Sequence, residues 1–295
     1  MSQAARRAPD AGWLSRAPSG GLVVAAIASV QLGGALAVHL FGWVGPSGAV
    51  ALRMLFAALV VLAISPPRLG GGAMRRLPLA GAFGLVLAGM TLSFYGALHR
   101  IPLGIAVALE FVGPLAVAVA GSRRPVDLVW VALAAAGILA LTRGGEAPIS
   151  SLGIALALLA GCLWGAYILL SARVGRAFER GAGLTLALCV ATLVTLPVGV
   201  ATAGSHLLEP RALALGALIG ILSSAIPYSF ELEALRRIAP PVFGVLMSLE
   251  PAVAALAGFV VLGQSLSGRA VLGIALVVAG SVGASRHGRR APRDL

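Results

Sequence analysis

Charge is scarce in this sequence, and lysine is missing altogether. Of 295 residues, 11% are charged and 59% hydrophobic, where a soluble domain carries roughly a quarter charged. A water-soluble fold is excluded. The net charge of +12 comes from 22 arginines, and these sit between apolar runs and form no single patch. That distribution argues against nucleic acid as a partner, because such binding needs a continuous basic face. Cysteine is nearly absent: Cys162 and Cys189 both fall inside apolar runs, so neither disulfide nor metal-site spacing is present. His39, His99, His206 and His287 are dispersed, no pair has ligand spacing, and no metal is expected. The sequence also lacks a nucleotide-binding loop and a zinc-protease motif, and no Ser/His/Asp set can be assembled inside the apolar runs. No enzyme chemistry and no cofactor are indicated, and transport driven by ATP within this chain has no support. A carrier using an ion gradient is left.

What the sequence does have is apolar runs of membrane-spanning length. Cutting at polar, Pro-rich or Arg-bearing breaks predicts ten helices, over about 21–41, 46–65, 77–97, 102–121, 126–142, 151–172, 182–203, 211–230, 240–262 and 268–285. Linkers such as 65–76 and 173–181 are short and leave no room for a soluble domain. Arg6, Arg7 and Arg16 precede the run from Gly20 to Leu40. That run is longer than a signal-peptide core of roughly 7–15 residues, so it reads as a first, uncleaved span.

Cytoplasmic loops retain positive charge, and the arginines divide accordingly. The N-terminal segment, alternate loops and tail that follow it on one side hold seventeen: Arg6, Arg7, Arg16, Arg68, Arg75, Arg76, Arg123, Arg124, Arg173, Arg176, Arg180, Arg236, Arg237, Arg286, Arg289, Arg290 and Arg293. The other loops hold four, Arg100, Arg143, Arg211 and Arg269, while Arg53 lies within the second helix. Both termini are therefore expected in the cytoplasm. The halves also resemble each other: LGGALA at 32–37 matches LWGAYI at 163–168, and ALHRI at 97–101 matches ALRRI at 234–238. Five helices per half turn the second copy upside down, which predicts an inverted-topology repeat. The expected organisation is a tail over 1–19, five-helix repeats over 20–145 and 146–285, and a basic tail over 286–295.

Two of the apolar runs carry an acid. Pro102 to Ala118, PLGIAVALEFVGPLAVA, holds Glu110, and Pro241 to Gly258, PVFGVLMSLEPAVAALAG, holds Glu250. A carboxylate near the bilayer midplane costs on the order of 3 kcal/mol, so it should face a cavity or a partner. Gly113-Pro114 and Pro251 weaken the backbone ladder beside the acids, and broken helices at matching places in two halves point to a binding site. The plainer reading is that each glutamate hydrogen-bonds within a helix interface. The functional reading is that they bind a proton or a substrate ammonium. Arg53 could snorkel to the outer interface, or pair a substrate carboxylate through its fork of donors. Gln31 is a candidate cavity residue, as are Trp164, Tyr167 and Ser171, which share a helix face by their spacings. Tyr95 and Tyr228 lie near span ends, where belt residues are the ordinary explanation. Ser223 and Ser224 are further polar residues within a span, and the many glycines read as close-packing positions.

The segments ALRMLFAALVVLA, PLGIAVALEFVGPLAVAVAGSRRPVD, SSAIPYSFELEALRRI and FGVLMSLEPAVAALAG resemble the threonine and homoserine exporters of the drug/metabolite transporter superfamily, which have two EamA-type domains. The resemblance is collinear from about residue 20 to 285. It implies an all-α membrane protein of ten transmembrane helices in two inverted repeats, placed in the bacterial inner membrane. It also implies export of small hydrophilic amino acids coupled to the proton gradient, with lipid as surroundings and a monomer or homodimer as assembly. Arg53, Glu110 and Glu250 fall in its matching motifs. The alternatives are an exporter of other metabolites or cationic drugs, and a non-transporting assembly subunit in which the two acids would have no need to titrate.

Overall fold

Proline and glycine decide where the helices of this chain stop, and those stops arrange the rest. The computed structural model describes residues 18–67, 76–120, 126–142, 150–178, 182–227, 230, 234, 243 and 246–287. Every regular element among them is helical. The first, α1, runs Ser19–Ile64 and is broken once, at Gly45, whose φ of 66° lies in the left-handed region. Only glycine adopts that conformation without strain, and Pro46 behind it starts the next stretch with a preset φ. Two arms result, 19–44 and 46–64, near the break expected between the first two helices.

Further helices whose bounds fall among the described residues are α2 (Leu77–Leu98), α3 (Leu103–Glu110), α4 (Val112–Ala120), α5 (Val126–Thr142), α6 (Ser151–Ala177), α7 (Ala182–Ala203), α8 (Pro210–Gly220), α9 (Glu250–Leu262) and α10 (Gly268–His287). A 3₁₀ turn, Gly204–Leu208, joins α7 to α8, and a π turn, Ile221–Ala225, follows α8. The sequence reading took 102–121 as one helix; it is two, parted at Phe111. Among the described residues, four helices, α1, α2, α6 and the stretch Ala182–Leu208, are each long and apolar enough to cross a membrane. Tyr228, most of the ALRRI match and the expected start of the ninth helix lie outside the described residues. So do Arg6, Arg7, Arg16, Arg68, Arg75, Arg123, Arg124, Arg143, Arg180, Arg236, Arg237, Arg289, Arg290 and Arg293.

Lipid offers no hydrophobic drive for helix association, so close packing at small residues must supply it. The structure does this repeatedly. A Cβ on Gly84 of α2 would stand 2.6 Å from the carbonyl oxygen of Ala187 in α7. One on Gly104 of α3 would stand 2.8 Å from Cα of Ala255 in α9. The helices α5 and α10 cross reciprocally: Gly137 would meet the Gly273 carbonyl at 2.7 Å, and Gly273 the Gly137 carbonyl at 2.9 Å. The second arm of α1 packs on α7 and α8, while the first arm packs on the π turn and α9. Ser150 caps α6, its Oγ accepting from Gly153 N at 3.2 Å, which satisfies one of the helix's unpaired donors. At one end of the bundle, Gln264 Oε1 accepts from Leu103 N at 3.0 Å and so caps α3 from the loop before α10.

Candidate functional site

Pro114 has no N–H, so the carbonyl of Glu110, four residues earlier, loses its helical donor. The chain turns there, ending α3 at Glu110 and restarting at Val112. Gly161 of α6 fills the gap against this turn, since a Cβ on it would lie 2.6 Å from the Glu110 carbonyl oxygen. Gly113 packs back on the Gly161 backbone. Proline acts similarly at the second acid, where Pro251 stands at the start of α9 and Glu250 occupies its first turn. The amino end of a helix carries partial positive charge, which favours a carboxylate at that place.

The pair α3 and α9 is antiparallel: Leu103 lies beside Gly258 and Gly104 beside Ala255. Continued along both chains, that register sets Glu110 level with Glu250. The two acids line one cavity of about 640 Å³, inside the range of roughly 300–1,000 Å³ usual for small-molecule sites. Glu110 is 8% exposed and Glu250 7%, so both are withdrawn from the bulk. Gln31, on the first arm of α1, donates through Nε2 to Glu250 Oε1 at 3.0 Å.

Arg53 reaches the same cavity from the second arm. Its Nη1 donates to the Tyr95 hydroxyl at 3.2 Å, and its guanidinium carbon lies 5.4 Å from the centre of the Tyr95 ring. Its Nε is buried and has no hydrogen-bond partner among the described residues. Tyr95 is not an interfacial belt residue. It is fully buried, with Phe41 and Phe94 packed around it at centroid distances of 5.8 and 6.3 Å. Its place near the end of α2 resembles a membrane interface only when neighbouring helices are left out of account.

Of the three residues of α6, Trp164 and Tyr167 line the cavity. Trp164 stands edge-on to Phe111 at 5.4 Å, and Tyr167 stacks on Phe83 at 5.0 Å. Ser171 shares their helix face but lies outside the cavity lining, its hydroxyl bonded to the Ile168 carbonyl at 2.8 Å. Thr91, Ser223, Ser224 and Ser281 also line the cavity. Sequence reasoning passed over Thr91 and Ser281, because one hydroxyl in an apolar helix looks like any other. The arrangement combines one fixed cation, two carboxylates, an amide and an aromatic wall. It can hold a small zwitterion, with carboxylate toward Arg53 and ammonium toward the acids.

Comparison with known proteins places the whole chain in a family. The EamA-like transporter family model matches residues 151–286. The chain is 42% identical over 276 residues to the threonine/homoserine exporter RhtA of Salmonella typhimurium, covering 92% of each chain. It is 42% identical over 268 residues to the threonine/homoserine exporter RhtA of Escherichia coli K12, covering 90% of each. A solved crystal structure, 20% identical, superposes with a TM-score of 0.56 over 92% of this chain and 99% of the other, a likeness of fold alone.

Proposed function

Because the chain belongs to the EamA-like transporter family, in the branch of the threonine/homoserine exporters, we propose that it exports small neutral hydrophilic amino acids of the threonine and homoserine type by proton antiport. It is a transporter and not an enzyme, and its place is the bacterial inner membrane. The observation that carries the substrate reading is the meeting of Arg53 with Glu110, Glu250 and Gln31 in one cavity. An amino acid satisfies both signs of charge at once, each through charge-assisted hydrogen bonds. A cationic drug would be repelled by Arg53.

Proton coupling follows from what the acids must do. In antiport a carboxylate that binds either a proton or the substrate ammonium, never both, links the two fluxes, and Glu110 and Glu250 line the one cavity in which either can take that part. Ten spans in two inverted repeats, with both termini cytoplasmic, give this site its frame. The packing supports that frame, since the second arm of α1 lies on α7, α3 on α9 and α5 on α10, each against the helix expected as its counterpart. Other contacts come as images: α2 on α7 answers α8 on the second arm of α1, and α6 on α3 and α4 answers the first arm of α1 on α9.

The test is uptake of labelled threonine and homoserine into inverted vesicles with an imposed proton gradient, comparing the natural chain with Glu110→Gln and Glu250→Gln. Uptake by the natural chain is expected, with at least one variant folded yet insensitive to the gradient. If the natural chain moves neither amino acid, the substrate reading is wrong and export of another compound takes its place.

A further inference from the structure

We infer that Ser223 is a specificity residue that recognises the hydroxyl group of the transported amino acid; the assignment rests on the amino-acid reading above. Hydroxyl groups in the spans ordinarily bond to a carbonyl of the preceding turn, which makes them silent in an apolar medium. Thr91 does so with Leu87, Thr192 with Leu188 and Thr195 with Ala191, at 2.8 or 2.9 Å. Thr91 lines the cavity with its hydroxyl already engaged. Among the described residues, the serine hydroxyls that are buried and lack a hydrogen-bond partner are those of Ser223 and Ser281. Both belong to residues of the cavity wall. A buried donor without a partner costs free energy, and such a group in a native structure calls for an explanation.

The backbone around Ser223 is built to keep it that way. The residue sits in the π turn Ile221–Ala225, which closes with Ile226 N donating to Ile221 O. Single π turns inside α-helices recur at functional sites, because the inserted residue shifts side chains out of the regular ladder. The turn is pinned from the first arm of α1, where Ser29 Oγ donates to the Leu222 carbonyl at 2.7 Å. One turn of that arm later, Gly33 provides the space, since a Cβ there would land on Ser223 Oγ. Ser223 thus faces the arm that bears Gln31, while its own segment packs at Gly220 on the arm that bears Arg53. Gly220, one turn earlier, packs within 3.3 Å of the Arg53 carbonyl oxygen when given a Cβ. A substrate with its charges on Arg53 and the acids brings its short side chain toward this wall. Ser281, on α10, enters the cavity from the helix that packs on α5, and serves as the comparison.

The experiment measures uptake of threonine and of 2-aminobutyrate, its analogue without the hydroxyl, in the same vesicles. The natural chain is expected to prefer threonine. Ser223→Ala is expected to lower kcat/KM for threonine about tenfold, the worth of one neutral hydrogen bond, while 2-aminobutyrate uptake holds steady and so reports an intact fold. Gly33→Ala, which displaces the hydroxyl, is expected to repeat that selective loss, and Ser281→Ala to leave the ratio alone. The assignment is overturned if the natural chain does not discriminate, if Ser223→Ala changes both substrates equally or neither, or if Ser281→Ala alone abolishes the preference. Threonine uptake with an unchanged ratio in Ser223→Ala sinks this assignment and leaves the exporter reading standing. Absence of uptake of either amino acid sinks both.

Discussion

Arg53 illustrates how one residue can acquire a role from its neighbours. Two turns into a span, a lone arginine would ordinarily extend toward water. Here the Tyr95 hydroxyl and ring hold the guanidinium in the cavity, at 3.2 Å and 5.4 Å respectively. A lysine keeps the charge but loses the planar fork that matches a carboxylate. Arg53→Lys is therefore expected to raise KM for threonine roughly tenfold to a hundredfold, the worth of a hydrogen bond to a charged group. Its effect on threoninol, which has no carboxylate, should be small. Equal losses on both compounds, in counterflow with proteoliposomes, would remove the carboxylate role. Tyr95→Phe takes away the hydroxyl but keeps the ring, and is expected to give a milder version of the same pattern.

At the level of the element, α6 depends on glycines that admit the broken helix beside it. Gly161 and Gly165 face the backbone of the α3–α4 turn at Glu110 and Gly113. A methyl at 161 would have to push aside a carbonyl oxygen 2.6 Å away. Overpacking of that kind typically costs about 1–3 kcal/mol. Gly161→Ala is thus expected to lower the thermal midpoint in detergent, and to impair transport by moving Glu110. Gly175 lies on the same helix with nothing within 4 Å of its Cβ position. Gly175→Ala should be neutral, or stabilising by up to about 1 kcal/mol from helix propensity. Equal midpoints for the two variants would show that the close approach at 161 carries no energetic weight.

Over the whole molecule, orientation is the property that arginine distribution and architecture must agree on. If loops rich in arginine face the cytoplasm, Arg176 near the end of α6 lies inside and Leu208 at the end of the 3₁₀ turn lies outside. Leu208 is 74% exposed, so its replacement should be tolerated. In cells, Leu208→Cys is expected to react with a membrane-impermeant maleimide from outside, while Arg176→Cys reacts only in inverted vesicles. The opposite pattern would reverse the topology and turn the proposed direction of export with it.

The membrane class, a break between the first two helices and the charges deep in the spans, Arg53, Glu110 and Glu250, were legible in the sequence by itself. Each is a strong local cost, and a chain can bear it in few ways: apolar runs must meet lipid, proline must leave a helix, and a buried charge must find a cavity. Which neutral residues would matter was decided by the tertiary structure alone. Tyr95 reads as an interfacial ring until Phe41, Phe94 and Arg53 enclose it. Ser171 keeps the spacing of Trp164 and Tyr167, yet it stands outside the cavity lining and spends its hydroxyl on Ile168. Ser223 differs from any other serine only through a π turn and the empty space over Gly33. A hydroxyl in an apolar helix can always turn back to its own backbone, so its sequence leaves no trace of whether it does; that choice is made by the helix packed against it.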